Sequence, residues 1–138
     1  MKLDITQLSQ LSEFSKQFIR KLKPGDVVFF HGDLGTGKTT LIQHILKNLN
    51  HSGHVKSPTY TLYDSYETDL TSVYHMDLYR MSSPEELYYL GIEEIFNSTN
   101  IVLIEWPEKG FGVLPQPNFE IFLDLISEKS RELRLVSN

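Results

Sequence analysis

Residues Gly32-Asp33-Leu34-Gly35-Thr36-Gly37-Lys38-Thr39 follow the pattern G-x-x-x-x-G-K-[ST], and every position in it answers a demand of gripping a triphosphate. The glycines admit positive φ and carry no Cβ, so successive backbone N–H groups can curl around phosphate oxygens. Lys38 offers a mobile positive charge for the β- and γ-phosphates, and the Thr39 hydroxyl is a hard oxygen that Mg²⁺ accepts. A helix starting here would aim its positive dipole end at the same anion. The candidate nucleotide contacts are therefore Asp33, Leu34, Gly35, Thr36, Gly37, Lys38, Thr39 and Thr40, with Lys38 also a candidate catalytic cation. The competing reading, a glycine-rich turn that binds nothing, has to ignore both the Lys-Thr ending and the flanking segments.

Hydrolysis of a nucleotide needs Mg²⁺, and Mg²⁺ needs a carboxylate, usually at the carboxyl end of a strand beside the phosphate loop. Asp77 follows Val73-Tyr74-His75-Met76, and Glu105 follows Ile101-Val102-Leu103-Ile104, so both meet that description. We expect one to hold the metal or its water while the other orients the attacking water. Glu105 follows the purer apolar run and is favoured as the metal-side group. The competing reading of each, a solvated strand-end carboxylate, is the weaker one beside a phosphate loop. Thr59 and Thr61 lie where a mobile loop would cover the γ-phosphate, although a Thr-rich edge strand explains them as well. Arg80 is a candidate for stabilising transition-state charge against the plainer role of a surface ion pair. Trp106, the single tryptophan, reads as core packing on composition, and His31, His51, His54 and His75 show no metal-ligand spacing and are given no catalytic role.

The elements that must position these groups are visible as patterns. Val27-Val28-Phe29-Phe30-His31 is a buried parallel strand in composition, and Leu41, Ile42, Ile45, Leu46 and Leu49 fall on one helical face after the loop. Leu8, Leu11, Phe14, Phe18, Ile19 and Leu22 predict an amphipathic helix over 7–22, capped by Thr6 or Ser9. Residues 57–63 and 73–79 read as extended. Ser83, Pro84 and Glu86 form a capping-box start to a helix that Gly91 ends, and 92–96 adds a further turn. Ile101–Ile104 reads as a central strand. Residues 119–126 and 131–136 alternate around a Ser-Glu-Lys-Ser turn as an antiparallel pair at the sheet edge. The fold class expected is α/β, one P-loop NTPase-like domain over 1–138, with a mixed, mostly parallel sheet, helices on both faces and an antiparallel edge pair near the C-terminus.

The bulk properties narrow the function. A chain of 138 residues leaves little room for a separate lid, and a formal charge of −5 argues against broad electrostatic binding of RNA or DNA. No cysteine means no disulfide, thiolate metal site or thiol nucleophile. The N-terminal residues lack the apolar stretch of a signal peptide and no window approaches a membrane span, so a cytoplasmic protein is expected. A small-molecule kinase is the main alternative, but a kinase lid generally brings several arginines, and Arg20, Arg80, Arg131 and Arg134 form no cluster in sequence. No Asn-Lys-x-Asp guanine signature occurs, which favours ATP over GTP.

Five ordered blocks carry a specific resemblance: the phosphate loop from Gly32 to Thr40, Lys56-Ser57-Pro58-Thr59-Tyr60-Thr61, Tyr74-His75-Met76-Asp77-Leu78-Tyr79-Arg80, Pro84-Glu85-Glu86-Leu87 with Gly91-Ile92, and Glu105-Trp106-Pro107. Together, over about residues 8–126, they resemble the TsaE (YjeE) family, bacterial P-loop ATPases of tRNA threonylcarbamoyladenosine synthesis. The resemblance implies a weak ATPase that acts with two partner proteins, TsaD, which carries the transfer site, and TsaB, and that meets tRNA only through that complex. It implies that ATP turnover resets the TsaB–TsaD pair, that Mg²⁺ sits at Thr39 and Glu105, that Asp77 is needed for activity, and that Trp106 is functional. The segment from Thr6 to Ser9 departs from the family pattern.

Overall fold

A computed structural model describes residues 1–51 and 62–138. In chain order the elements are β1 (Lys2–Asp4), α1 (Leu8–Phe18), β2 (Val27–His31), α2 (Lys38–Asn48), β3 (Tyr63–Glu67), β4 (Ser72–Asp77), a 3-10 helix Pro84–Leu90, α3 (Ile92–Ile95), β5 (Ile101–Glu105), a 3-10 turn Pro107–Gly110, β6 (Phe119–Ser127) and β7 (Ser130–Ser137). The strands form a seven-stranded sheet in the order β1-β7-β6-β2-β5-β4-β3. β6, β2, β5 and β4 run parallel, and antiparallel strands close both edges.

Period-two alternation divides the sheet into two faces. Val28, Phe30, Leu103, Ile121 and Leu123 pack under α1 and α2, while Phe29, Met76, Val102 and Ile104 pack under Leu87, Ile95 and the segment around Trp106. Helices therefore cover both faces, as expected. Leu41, Ile42, Ile45 and Leu46 of α2 are fully buried. At about 1.5–3 kcal/mol for each fully buried side chain of this size, they fix the helix that carries the phosphate loop. The same alternation turns His75, two residues after Val73, and Glu105, two after Leu103, toward α2.

Several local expectations hold in detail. The Glu86 carboxylate accepts the Ser83 and Ser82 N–H groups at 2.9 and 2.6 Å, and Gly91 ends that helix at φ +72°. The element is a 3-10 helix rather than an α-helix. Others are corrected. Neither Thr6 nor Ser9 caps α1: Gln7 stands at its N-cap, with its N–H donating to Gln10 Oε1 at 2.9 Å, because the Thr6 hydroxyl is already bonded to Asp4 Oδ1 at 2.6 Å. The pair β6–β7 is antiparallel around Ser127–Ser130 as expected, but β1 pairs with β7 and takes the sheet edge from it. Of the extended run expected at 57–63, only Leu62 and Tyr63 lie within the described residues, and Thr59 and Thr61 lie outside them. Among the described residues no helix is long and apolar enough to cross a membrane.

Candidate active site

The parallel arrangement brings the carboxyl ends of β2, β5 and β4 to one rim, where α/β sheets bind ligands. β2 ends at His31, the loop turns through Gly32–Gly37, and α2 begins at Lys38. Gly37 precedes the helix at φ +104°, a conformation that favours glycine, and a Cβ there would stand 3.1 Å from the mobile end of the Arg131 side chain. A Cβ on Gly32 would meet Leu123 O and Thr36 Oγ1 at 2.7 Å. Thr36 is buried and ties the loop internally, its hydroxyl donating to Asp33 O at 2.9 Å. The unpaired N–H groups of the first turn of α2 open onto a cleft of about 360 Å³.

Leu34, Gly35, Gly37, Lys38, Thr39, Thr40, Asp77 and Glu105 line this cleft together with Tyr79, Trp106 and Arg131. Of the phosphate-loop and carboxylate residues expected from sequence, the structure brings all but Asp33 and Thr36 to one cavity. Asp33 is exposed at the loop tip, and Thr36 points inward. Arg80 is exposed and does not line the cleft.

Lys38 is only 5 % exposed. Its ammonium donates to the Gly32 carbonyl and lies 3.8 Å from the centre of the Trp106 ring. Burial pulls its pKa below the ordinary lysine value, while the carboxylates of Glu105, Glu108, Asp77 and Asp33 oppose that shift. Trp106 reaches this position by adopting φ +58°, ψ +51° immediately after β5. That left-handed conformation costs a non-glycine residue about 1–2 kcal/mol. The Tyr79 ring packs against Trp106 at 4.9 Å between centroids.

Thr39 Oγ1 lies 3.1 Å from each carboxylate oxygen of Glu105, a residue only 3 % exposed. This pair fits Mg²⁺: two adjacent ligands of an octahedral ion at ~2.1 Å stand ~3.0 Å apart, close to the spacing found here. Among the described residues no group of three or more His, Cys, Asp or Glu side chains is suited to a metal. Mg²⁺ needs none, since one or two protein oxygens, phosphate and water complete its shell. Asp77 pairs in register with Glu105 on the neighbouring strand, and its Oδ1 accepts the Tyr79 N–H at 3.1 Å.

Three cleft features escaped the sequence reading. His75, given no role there, is fully buried with Nε2 2.6 Å from Glu105 Oε2. The signal was available: a histidine two residues before a strand-end aspartate shares its face. Arg131 gave no local signal, because the turn between β6 and β7 carries it to the loop and Thr6 Oγ1 holds its backbone N–H at 3.0 Å. Tyr79 was noted only within a matching block. The remaining histidines stand apart: His31 pairs with Glu120 at 3.0 Å, His44 lies on α2, His51 packs on Tyr66, and His54 lies outside the described residues.

Comparison with known proteins points to one family. The family described as "Threonylcarbamoyl adenosine biosynthesis protein TsaE" matches residues 5–133. The tRNA threonylcarbamoyladenosine biosynthesis protein TsaE of Haemophilus influenzae is 45 % identical over 111 residues, spanning 80 % of this chain and 70 % of that protein. Its counterpart in Rickettsia bellii is 42 % identical over 123 residues, spanning 88 % and 85 %. The crystal structure of YdiB from Bacillus subtilis superposes with a TM-score of 0.83 at 28 % identity, over 99 % of this chain and 84 % of that one. The phosphate loop, the paired strand-end carboxylates and the tryptophan behind the lysine thus occur in a chain that matches one family nearly end to end, and the chain belongs to the TsaE family.

Proposed function

We propose that this chain is a weak, Mg²⁺-dependent ATPase that serves threonylcarbamoyladenosine modification of tRNA in the cytoplasm without performing the group transfer itself. The observation that carries the reading is the Thr39 hydroxyl at the head of α2, 3.1 Å from both oxygens of a buried glutamate. In this reading the loop N–H groups from Asp33 to Thr40 bind the phosphates. Lys38 leaves the Gly32 carbonyl and the Trp106 face to reach the β- and γ-oxygens. Thr39 and Glu105 would hold Mg²⁺, which would supply positive charge to offset that of the phosphates. Asp77, on the adjacent strand and open to the cleft, orients the attacking water and takes its proton. Arg131, the only arginine lining the cleft among the described residues, places a guanidinium beside the loop. A lone arginine in an open cleft suits slow hydrolysis rather than the water-excluding transfer of a kinase.

The formal charge of −5 suits docking on protein rather than direct grip of tRNA, in keeping with TsaB and TsaD as the partners that stimulate turnover. ATP turnover measured alone, then with TsaB, TsaD and substrate tRNA, tests the reading. We expect slow hydrolysis alone, stimulation in the complex and repeated rounds of modified tRNA. Absent stimulation with active partners and intact nucleotide binding would overturn it, as would tighter calorimetric binding of Mg·GTP than of Mg·ATP for the choice of nucleotide.

A further inference from the structure

We propose that His75 is a positioning residue for metal capture, its Nε2–H fixing one oxygen of Glu105 so that the carboxylate stays turned toward Thr39. The inference rests on the reading of Glu105 and Thr39 as the metal pair.

His75 has no exposed surface and sits on β4 in register with Leu103, one alternation step from Glu105 on the neighbouring strand. Its Nε2 lies 2.6 Å from Glu105 Oε2. A carboxylate only accepts hydrogen bonds, so the proton of this bond resides on Nε2. Among the described residues Nδ1 is the one buried side-chain nitrogen or oxygen with no hydrogen-bond partner. A side chain kept only to fill this space would be better apolar, since burying an unpaired polar atom costs free energy. Among the described residues, the bond to Glu105 is therefore the single polar contact of the His75 side chain.

What that bond does follows from the softness of the group it holds. The terminal torsion of a glutamate has broad, roughly two-fold minima, so packing alone orients a carboxylate loosely. The Thr39 hydroxyl lies equally far from both oxygens and cannot select between them. Among the described residues, only His75 distinguishes them, by holding Oε2. The plane of the carboxylate is then set by β4, and Oε1 keeps its lone pairs for a cation beside Thr39. Outer contacts of this kind typically change metal affinity by about 10–100-fold when removed.

Two substitutions of similar length separate positioning from packing. His75→Gln keeps an N–H donor near the Nε2 position, whereas His75→Met fills the space without one. Binding of Mn²⁺ to the full chain, saturated with a non-hydrolysable ATP analogue, is read by electron paramagnetic resonance. Binding of the analogue without metal is read by calorimetry in EDTA. We expect His75→Met to weaken Mn²⁺ about 10–100-fold with metal-free analogue binding unchanged, and His75→Gln to stay within a few-fold of the native chain. Native Mn²⁺ affinity in His75→Met, or equal weakening in both variants, would overturn the proposal. Parallel loss of metal-free binding, or failure of His75→Met to fold while His75→Gln also loses Mn²⁺, would assign His75 to packing and overturn it as well. A native chain that captures no Mn²⁺ would overturn the metal reading itself and this inference with it, a result distinct from the others.

Discussion

β4 and β5 end side by side, each on a carboxylate, and the two ends have different surroundings. Asp77 and Glu105 are registered partners on parallel strands. Glu105 is enclosed, bonded by Thr39 on one side and His75 on the other. Asp77 is half-buried, turned to the cleft, with the backbone of Tyr79 bonded to Oδ1. Strand position alone does not assign a role, because both residues satisfy the rule that ligands gather at carboxyl ends. The difference arises from what each neighbour strand places beside them. β5 lies between β2 and β4, so its end is walled by the phosphate loop and by His75, whereas β4 borders the antiparallel edge. A held, dehydrated carboxylate suits a metal, and a cleft-facing one suits water.

The sharpest way to break this contrast is Glu105→Gln, which removes the charge but keeps the shape. We expect ATP turnover to fall by about 10³-fold, at the upper end of what losing one preorganised electrostatic group costs. Mn²⁺ binding to the analogue complex should be lost with it, while metal-free nucleotide binding persists. Unaltered turnover would remove Glu105 from the site.

Asp77→Asn should have a smaller effect of another kind. Phosphoryl transfer passes through a loose transition state that leaves little for a base to do, so a drop of about 10²-fold, the low end for a general base, is expected. Mn²⁺ affinity should stay native. If Asp77→Asn weakened the metal as Glu105→Gln does, the two strand ends would share one task and the contrast would collapse.

The enclosed half of this pair was more legible in sequence than its neighbours. The loop, β2, α2 and β5 are local patterns: a fixed motif between an apolar run and a 3.6-period stripe, and a second apolar run ending in Glu105. The capping box at Ser83 and Glu86 was equally local. What sequence hid depends on pairings between distant residues. β1 is three residues long and exists because β7 offers it a partner, Leu3 against Leu133. Gln7 rather than Thr6 caps α1 because Thr6 also holds the backbone of Arg131, 125 residues away. The spacing to Asp77 puts His75 on the same face, but its partner is on another strand and no spacing rule joins 75 to 105. The different burial of the two carboxylates is hidden for the same reason, since burial at a strand end is set by neighbours in space.

Arg131 tests whether the antiparallel half contributes to the cleft at all. Its guanidinium stands beside Gly37, within reach of a phosphate held by the loop. Arg131→Ala should weaken nucleotide binding about tenfold, equivalent to about 1.4 kcal/mol, by calorimetry with and without Mg²⁺ alike. A loss seen only with metal present would tie Arg131 to the Glu105 side instead.

The smallest effect is expected at Trp106, and it sharpens how the β5 end prepares for ligand. In this structure the ring lies against the Lys38 ammonium, 3.8 Å from centroid to Nζ. If Lys38 moves to phosphate when nucleotide binds, that contact stabilises only the nucleotide-free chain. Such a contact contributes about 0.5–1 kcal/mol near a surface and about 2 when desolvated. Trp106→Leu should therefore lower the melting temperature of the free chain more than that of the chain saturated with the ATP analogue, because lost packing is common to both states and the cation–ring attraction is not. Equal losses in the two states would mean that Lys38 keeps its place over the ring, and that Trp106 helps to present the ammonium to phosphate rather than holding it until nucleotide arrives.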